Sequence, residues 1–381
     1  MKARGFTVRA ITAPGPDARR YAAELGVDID IVAMARRITP LADLAAVAAI
    51  RRRLRRHRPA IVHAHTPKGG LLGLLAAAAA ATPVRIYHMR GLPFTTATGW
   101  RRALLRGTER LSCRLAHQVF AVSESVRALA VETGLCEPSK IKVLGRGSGN
   151  GVDATGRFDP DAVAPAARQR TRAALGIAGE QPVVGFVGRV VRDKGVGELV
   201  EAWRSVREAF PEAHLVVIGP FESRDAITAD TALALRTDPR VHPLGTVLDM
   251  PAWYAAMDLV VLPTYREGFP NVLLEAAAMR VPVVATRVPG CVDAVEDGRT
   301  GLLVPPRDPR ALASAIARYL HAPAQRRRHG GAARERVLAH FRPEAIWRAL
   351  HGEYLGLLAA AGVAVEGAGA PARSEPARWA P

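Results

Sequence analysis

Cysteine, lysine, aromatic residues and long hydrophobic runs are all scarce in this sequence, and each shortage excludes something. Cys113, Cys136 and Cys291 are odd in number, far apart and free of any CxxC pairing. That rules out a disulfide scaffold and points to a reducing cytoplasm rather than an exported protein. The first residues, Met1 to Phe6, lack the apolar core of a signal peptide, so export is not expected. The longest apolar run, Leu71 to Ala81, is half alanine. It falls short of the roughly 20 residues a membrane-spanning helix needs and reads as a buried helix.

What the sequence does hold is apolar mass and arginine. The 381 residues are 49% apolar, enough to bury a proper core, and their number suggests two domains. Lys+Arg number 53 against 35 Asp+Glu, giving a net +18, with only five lysines (Lys2, Lys68, Lys140, Lys142, Lys194). Residues 1–165 carry 26 Lys+Arg and 12 Asp+Glu, net +14, which leaves +4 for the remainder. The basicity is therefore a property of the first half. Its densest cluster, Arg51 to Arg58, contains no aromatic side chain on which a base could stack. It reads either as a solvated helix face or as a surface for anionic lipid or a pyrophosphate-bearing acceptor.

Short β-branched runs alternate with Ala/Leu/Arg-rich helical stretches. In the first half the runs are Thr7 to Thr12, Asp28 to Val32, Ala60 to Ala64, Val84 to His88 and His117 to Val122. After a Gly/Pro/Asp-rich stretch from Asn150 to Pro165, which reads as a linker, the alternation restarts. Its strands are Pro182 to Gly188, His214 to Gly219, Leu259 to Pro263 and Val281 to Ala285. Strands separated by helices make parallel, doubly wound sheets, so the expected fold class is α/β with two Rossmann-like domains. The expected boundaries are a first domain over residues 1–165, a second over 166–340, a terminal helix over 341–361 and a disordered tail over 362–381.

Two constellations in the second domain carry chemistry. In the first, the strand ending at Gly188 is followed at once by Arg189 and, five residues on, by Lys194. Ligands of open α/β sheets lie beyond the carboxyl ends of the strands, so both cations stand where a pyrophosphate would bind. In the second, Glu267 and Glu275 flank Gly268, Phe269, Pro270, Asn271 and Val272. Pro270 suits a first helical position, which would leave free amides from Asn271 onward for a phosphate. Carboxylates do not ligate phosphate, so the two glutamates would hold hydroxyl groups, as a sugar and a ribose require.

In this order the residues resemble the family-4 glycosyltransferases, which have the two-Rossmann-domain GT-B fold. The resemblance covers most of the chain: His63-Ala64-His65-Thr66-Pro67-Lys68 after a first-domain strand, Gly188-Arg189 with Lys194-Gly195, the Glu267/Glu275 pair, and the run from Gly290 to Val304. It implies a retaining transfer of sugar from a nucleotide-diphosphate donor of the UDP-sugar kind, without metal or other cofactor. Arg189 and Lys194 would neutralise the departing diphosphate. Glu267 with the backbone of Gly268 and Phe269 would hold the sugar, Glu275 the ribose, and the Asn271 and Val272 amides the phosphate. The segments Arg85 to Phe94 and Gly145 to Asp153 are similar to those of capsule, O-antigen and N-glycan enzymes. Those add a hexose or N-acetylhexosamine to an undecaprenyl-diphosphate-linked sugar. The implied partners are thus a nucleotide sugar, a lipid-linked or oligosaccharide acceptor and an anionic membrane surface on the cytoplasmic side, with no nucleic acid. His65, Lys68, His88 and Arg90 are the acceptor-side candidates, although a strand-end histidine such as His65 can equally satisfy local backbone groups.

Many relatives carry a Thr-x-His-Gly segment where this chain has His88-Met89-Arg90-Gly91, leaving open which side chain takes the histidine's role. Relatives also open with a strand, a Gly-rich loop and a helix ahead of the segment resembling Arg4 to Val8. That unit, on the order of 20–30 residues, is expected to be missing from the first domain. Two other functions fit parts of the pattern: a nucleotide-sugar epimerase of the same fold, and a basic nucleic-acid-binding protein.

Overall fold

The computed structural model describes residues 1–15, 18–35 and 37–364. Its strands are β1 (Arg9–Thr12), β2 (Asp28–Ile31), β3 (Ile61–His65), β4 (Val84–Met89), β5 (Gln118–Ala121), β6 (Ile141–Val143), β7 (Val183–Val187), β8 (His214–Ile218), β9 (Val241–Gly245), β10 (Leu259–Leu262), β11 (Val283–Thr286) and β12 (Gly301–Val304). They form three sheets: β1-β2, β3-β4-β5-β6, and β12-β11-β10-β7-β8-β9. The chain divides into two compact units, one of residues 1–88, 111–119 and 347 onward, the other of residues 89–110 and 120–346.

In the first unit, β1 pairs with β2 and β3 with β4, both in parallel, with His65 beside His88 in the second ladder. The amphipathic helix Pro40–His57 buries Ala46, Ile50 and Leu54. They meet Leu72, Ala76 and Ala77 of the helix Pro67–Ala79, with Ile11 and Val62 packed at the edge of the cluster. The run from Leu71 onward is thus a buried helix, as its composition indicates. Gly70 sits where helix and sheet touch, since a Cβ there would fall 2.4 Å from the Tyr87 ring.

The second unit is built on the six-stranded sheet, whose ladders are all parallel. Every residue of β7, β8, β10 and β11 is buried, which explains their unbroken apolar sequences: helices cover both faces. The strands that composition did not reveal are β6, β9 and β12, and all three lie at sheet edges. β9 is half polar and holds Pro243, which an edge position tolerates, whereas β12 is apolar and buried throughout but only four residues long.

The stretch from Asn150 to Pro165 is packed rather than loose. Val152, Ala154 and Phe158 enter the second unit's core, and Arg334 donates to the carbonyls of Ala154 and Phe158. The terminal helix runs Pro343–Ala360, with Phe341 fully buried ahead of it. Residues 365–381 of the expected tail lie outside the described residues. All three cysteines are buried and none is in a disulfide.

One turn is closed by contact between backbones alone. Gly219 follows β8 with φ +141°, and a Cβ on it would sit 1.9 Å from the Gly188 carbonyl oxygen. Gly219→Ala should therefore destabilise the protein by about 2 kcal/mol or more, read as a shift in its denaturant midpoint; an unchanged midpoint would contradict the packing described.

Candidate active site

The strand order places β7 and β10 side by side while β8 lies on the far side of β7, so the chain direction across the sheet reverses between β7 and β10. Loops from two such neighbours open a crevice at their carboxyl ends. After β7 comes Gly188, whose N–H donates to Ile218 at 2.9 Å. Arg189 follows and pairs with Glu222 at 2.9 Å, with nearly half its side chain exposed. A 3-10 turn, Arg192–Lys194, then brings Lys194 back to the loop after β10, where its ammonium pairs with Glu267. These side chains are only 17% and 13% exposed. Asp193 ties the loops together: its carbonyl accepts from the Tyr265 amide at 2.9 Å and its carboxylate pairs with Arg266 at 2.7 Å.

Gly268 lies between two other backbone segments. A Cβ on it would be 2.1 Å from the Arg90 carbonyl oxygen, and one on Gly290 would be 2.4 Å from Gly268's own carbonyl. That carbonyl accepts a hydrogen bond from Ser123 at 2.9 Å. Ser123 is buried and also caps the helix Glu124–Glu132 by accepting from the Val126 amide. Two residues on, Ser125 pairs with Asp293, and its Oγ accepts from the Gly290 amide at 2.7 Å. Ser123, Ser125 and Asp293 are absent from the residues singled out by sequence. Serine following a strand and opening a helix is a capping signal, but nothing in it shows the partner 145 positions away.

The helix Asn271–Ala278 starts one residue later than expected: Pro270 is its N-cap and Asn271 its first residue. Pro270 has ψ 102°, outside the helical region, so the ring sits before the first turn. The early amides of Asn271 and Val272 still stand at the positive end of the helix. Asn271 Oδ1 accepts from Ser148 at 3.3 Å. Phe269 packs at 5.4 Å from Phe341. Glu275 accepts a hydrogen bond from the buried Tyr254 hydroxyl at 2.8 Å. Burial raises the Glu275 pKa, with the Tyr254 hydrogen bond and Arg157 opposing. Burial pushes the Cys291 thiol pKa well up, with Glu267 adding to the rise and Lys194 opposing it.

The structure thus brings Lys194 and Glu267 into contact, sets Gly268 against the Arg90 backbone, and holds Glu275 separately on Tyr254. Arg90 itself reaches Asn150 at 3.4 Å, and burial lowers its pKa. In the first unit, His65 and His88 stack at 5.3 Å, and His63, which the sequence reading left out of the site, stacks on His65 at 4.3 Å. Lys68 is occupied by Asp43 at 2.7 Å and by the Arg37 carbonyl at 2.5 Å.

The raised Glu275 pKa has a stability consequence of definite sign. A carboxyl whose folded pKa exceeds its unfolded value stabilises fully at low pH, and that contribution fades as pH rises through the folded pKa. Glu275→Gln, which cannot ionise, should be more stable than the parent at neutral pH and lose that advantage near pH 4; denaturant melts at both pH values decide it.

Comparison with known proteins agrees across both halves. Residues 1–147 match the family described as glycosyl transferase 4-like domain, and residues 181–322 match glycosyl transferases group 1. The chain is 31% identical over 354 residues to the capsular polysaccharide biosynthesis glycosyltransferase CapM of Staphylococcus aureus, covering 93% of this chain and 91% of that one. It is 30% identical over 301 residues to the putative teichuronic acid biosynthesis glycosyltransferase TuaC of Bacillus subtilis, covering 78% and 70%. Among solved structures, HepE of Anabaena, crystallised with UDP-glucose, superposes with a TM-score of 0.77 at 22% identity over 93% of each chain. WaaG, a glycosyltransferase involved in lipopolysaccharide biosynthesis, does so with a TM-score of 0.70 at 19% identity over 91% of each. The fold is the pair of Rossmann-like domains called GT-B, and the chain belongs to the family-4 glycosyltransferases.

Proposed function

We propose that this glycosyltransferase moves a hexose or N-acetylhexosamine, with retention of configuration, from a UDP-sugar to a lipid-diphosphate-linked glycan in surface polysaccharide assembly. The observation that carries the reading is the Lys194–Glu267 pair at the reversal point between β7 and β10, beside the N-terminus of the helix Asn271–Ala278. The UDP-glucose held by HepE supports a uridine donor, and the named roles of CapM and TuaC support surface polysaccharide as the product.

As the sugar leaves, its bond to the diphosphate breaks and negative charge grows on the departing oxygen. Lys194, Arg189 and the amides of Asn271 and Val272 answer that charge, and because they are held in place beforehand little reorganisation is needed. Arg189 must exchange Glu222 for the diphosphate. Glu267, with the Gly268 and Phe269 backbone, holds the sugar hydroxyls while oxocarbenium character develops. The acceptor hydroxyl attacks the face the diphosphate leaves, and its proton passes to the departing phosphate oxygen. Glu275, fixed by Tyr254, takes the ribose hydroxyls. His65, Lys68, His88 and Arg90 serve the acceptor.

An acceptor of this class is met at a membrane, and no described helix is long and apolar enough to cross one. The helix Pro40–His57 offers a surface contact instead. Leu41 and Leu44 are 85% and 68% exposed, and at helical spacing they share a face with the exposed Arg52, Arg55 and Arg56. Apolar side chains beside cations suit the headgroup region of an anionic leaflet. Arg51 and Arg53 of the same cluster are used internally, donating to Ala79 and Asp30. The densest basic cluster is thus divided between internal and solvent-facing arginines.

Lys194→Ala and Glu267→Ala should each lower transfer by about 100-fold or more while leaving the fold intact by circular dichroism; parent-like rates in both would defeat the assignment. Glu275→Ala should chiefly raise the donor KM. Incubation with a UDP-sugar and no acceptor should leave its configuration unchanged, whereas an epimerase would turn over. Co-sedimentation should show binding to anionic but not zwitterionic vesicles, weakened by Leu41→Ser with Leu44→Ser; equal binding by that double variant would remove the helix from the contact.

A further inference from the structure

We propose that His63, His65 and His88 form a transition-metal site, taking Zn2+ through one imidazole nitrogen each. Among the described residues they are the group of metal-ligating side chains close enough to share an ion, with one ligand atom from each lying within 4.8 Å of the others. The backbone arranges this. His63 and His65 are two apart on β3 and so point to one face, and the register sets His88 of β4 directly beside His65. The rings stack with centroids 4.3, 5.2 and 5.3 Å apart. As imidazolium ions, three such neighbours would repel one another. As neutral rings each can offer one nitrogen to a divalent ion shared by the three.

Supporting groups are present too. The Tyr354 hydroxyl lies 2.6 Å from His63 Nδ1 and orients that ring, leaving Nε2 as its ligand atom. Thr66, immediately after His65, has φ 67° and ψ 159°, a region nearly reserved for glycine. A β-branched residue held there marks a strand end whose direction is fixed by its surroundings, with the Thr66 carbonyl accepting from Gly70 at 2.7 Å. Zn–N bonds of about 2.0–2.1 Å place tetrahedral ligands roughly 3.3 Å apart, so binding draws the nitrogens together by side-chain rotation. Imidazole-only ligation suits zinc and its neighbours rather than magnesium or calcium. Three neutral ligands leave the ion its full double charge and one open position, which an anionic oxygen would fill. His65 and His88 are also proposed above to serve the acceptor, so the test reads metal binding itself and not sugar transfer.

The test uses the full chain, freed of metal by chelation and titrated with Zn2+ against a chromophoric chelator. One ion per chain is expected, with binding weakened at least ~100-fold in His65→Gln and in His88→Gln and about tenfold in Tyr354→Phe. Co2+ should give the visible absorption of a four-coordinate site with three nitrogen ligands, lost in His65→Gln. Protection of each variant by UDP against thermal unfolding controls for folding, and if His88→Gln fails that control, His65→Gln alone decides. Absence of stoichiometric binding, or binding and Co2+ spectra unchanged in His65→Gln, would overturn the site.

Discussion

Lys194 and Glu267 sit on different strands' loops, each mostly removed from water, and each charge offsets part of the other's desolvation cost. Removing one partner of such a pair leaves a buried charge uncompensated, which is costly out of proportion to what the intact pair contributes. The loops after β7 and β10 must therefore keep the two side chains within reach of each other. Much of the surrounding structure serves that requirement. The parallel ladder between the two strands sets their ends level, and Asp193 binds the loops to each other through its carbonyl and its carboxylate.

The same constraint explains why so much of the site is bare backbone. Gly268 is enclosed by the carbonyl of Arg90 on one side and the Gly290 backbone on the other, at separations that admit no side chain. What remains to face a ligand is amide and carbonyl, groups that cannot change rotamer. Ser123 and the Ser125–Asp293 pair hold this segment from outside, so they act on the position of Gly268 rather than on a ligand. A loop fixed in this manner keeps its amides and carbonyls in one place, as the proposed holding of a sugar by many directional hydrogen bonds of modest individual strength would require.

How much of this was legible in the sequence follows from burial and from distance along the chain. The buried central strands announced themselves because both faces are apolar, whereas the edge strands β6, β9 and β12 did not. Lys194 and Glu267 could be picked out because each follows a readable strand, and in a parallel sheet the ends of such strands face the same way. Their direct contact could not, since strand order is a tertiary fact. The bond of Glu275 to Tyr254, 21 residues earlier, carried no sequence signal. Pro270 shows the limit of local rules: the ring is compatible with N-cap and first-turn positions alike, and the packing around Gly268 chose the former. His63 was passed over beside His65 because a strand's alternation shows only that the two share a face, while the third member, His88, comes from the neighbouring strand.

Charge was the least transparent of the sequence's features, because arginine serves two unrelated ends. In the second unit, several guanidiniums are internal struts. Arg172 is 3% exposed and donates to the Ala256 carbonyl. Arg334 spans the carbonyls of Ala154 and Ala278 and the carboxylate of Asp159. Arg336 joins Glu296 to the Asp293 and Ala294 carbonyls. Five donors in a rigid fork let one side chain satisfy several backbone oxygens at once, a task for which lysine is poorly shaped. These arginines add to the formal charge without offering it to a partner. Along the solvent face of the helix Pro40–His57, by contrast, Arg52, Arg55 and Arg56 are exposed. The exposed arginines of this helix contribute to the field that a partner meets, whereas the internal ones do not, so the total of +18 overstates it.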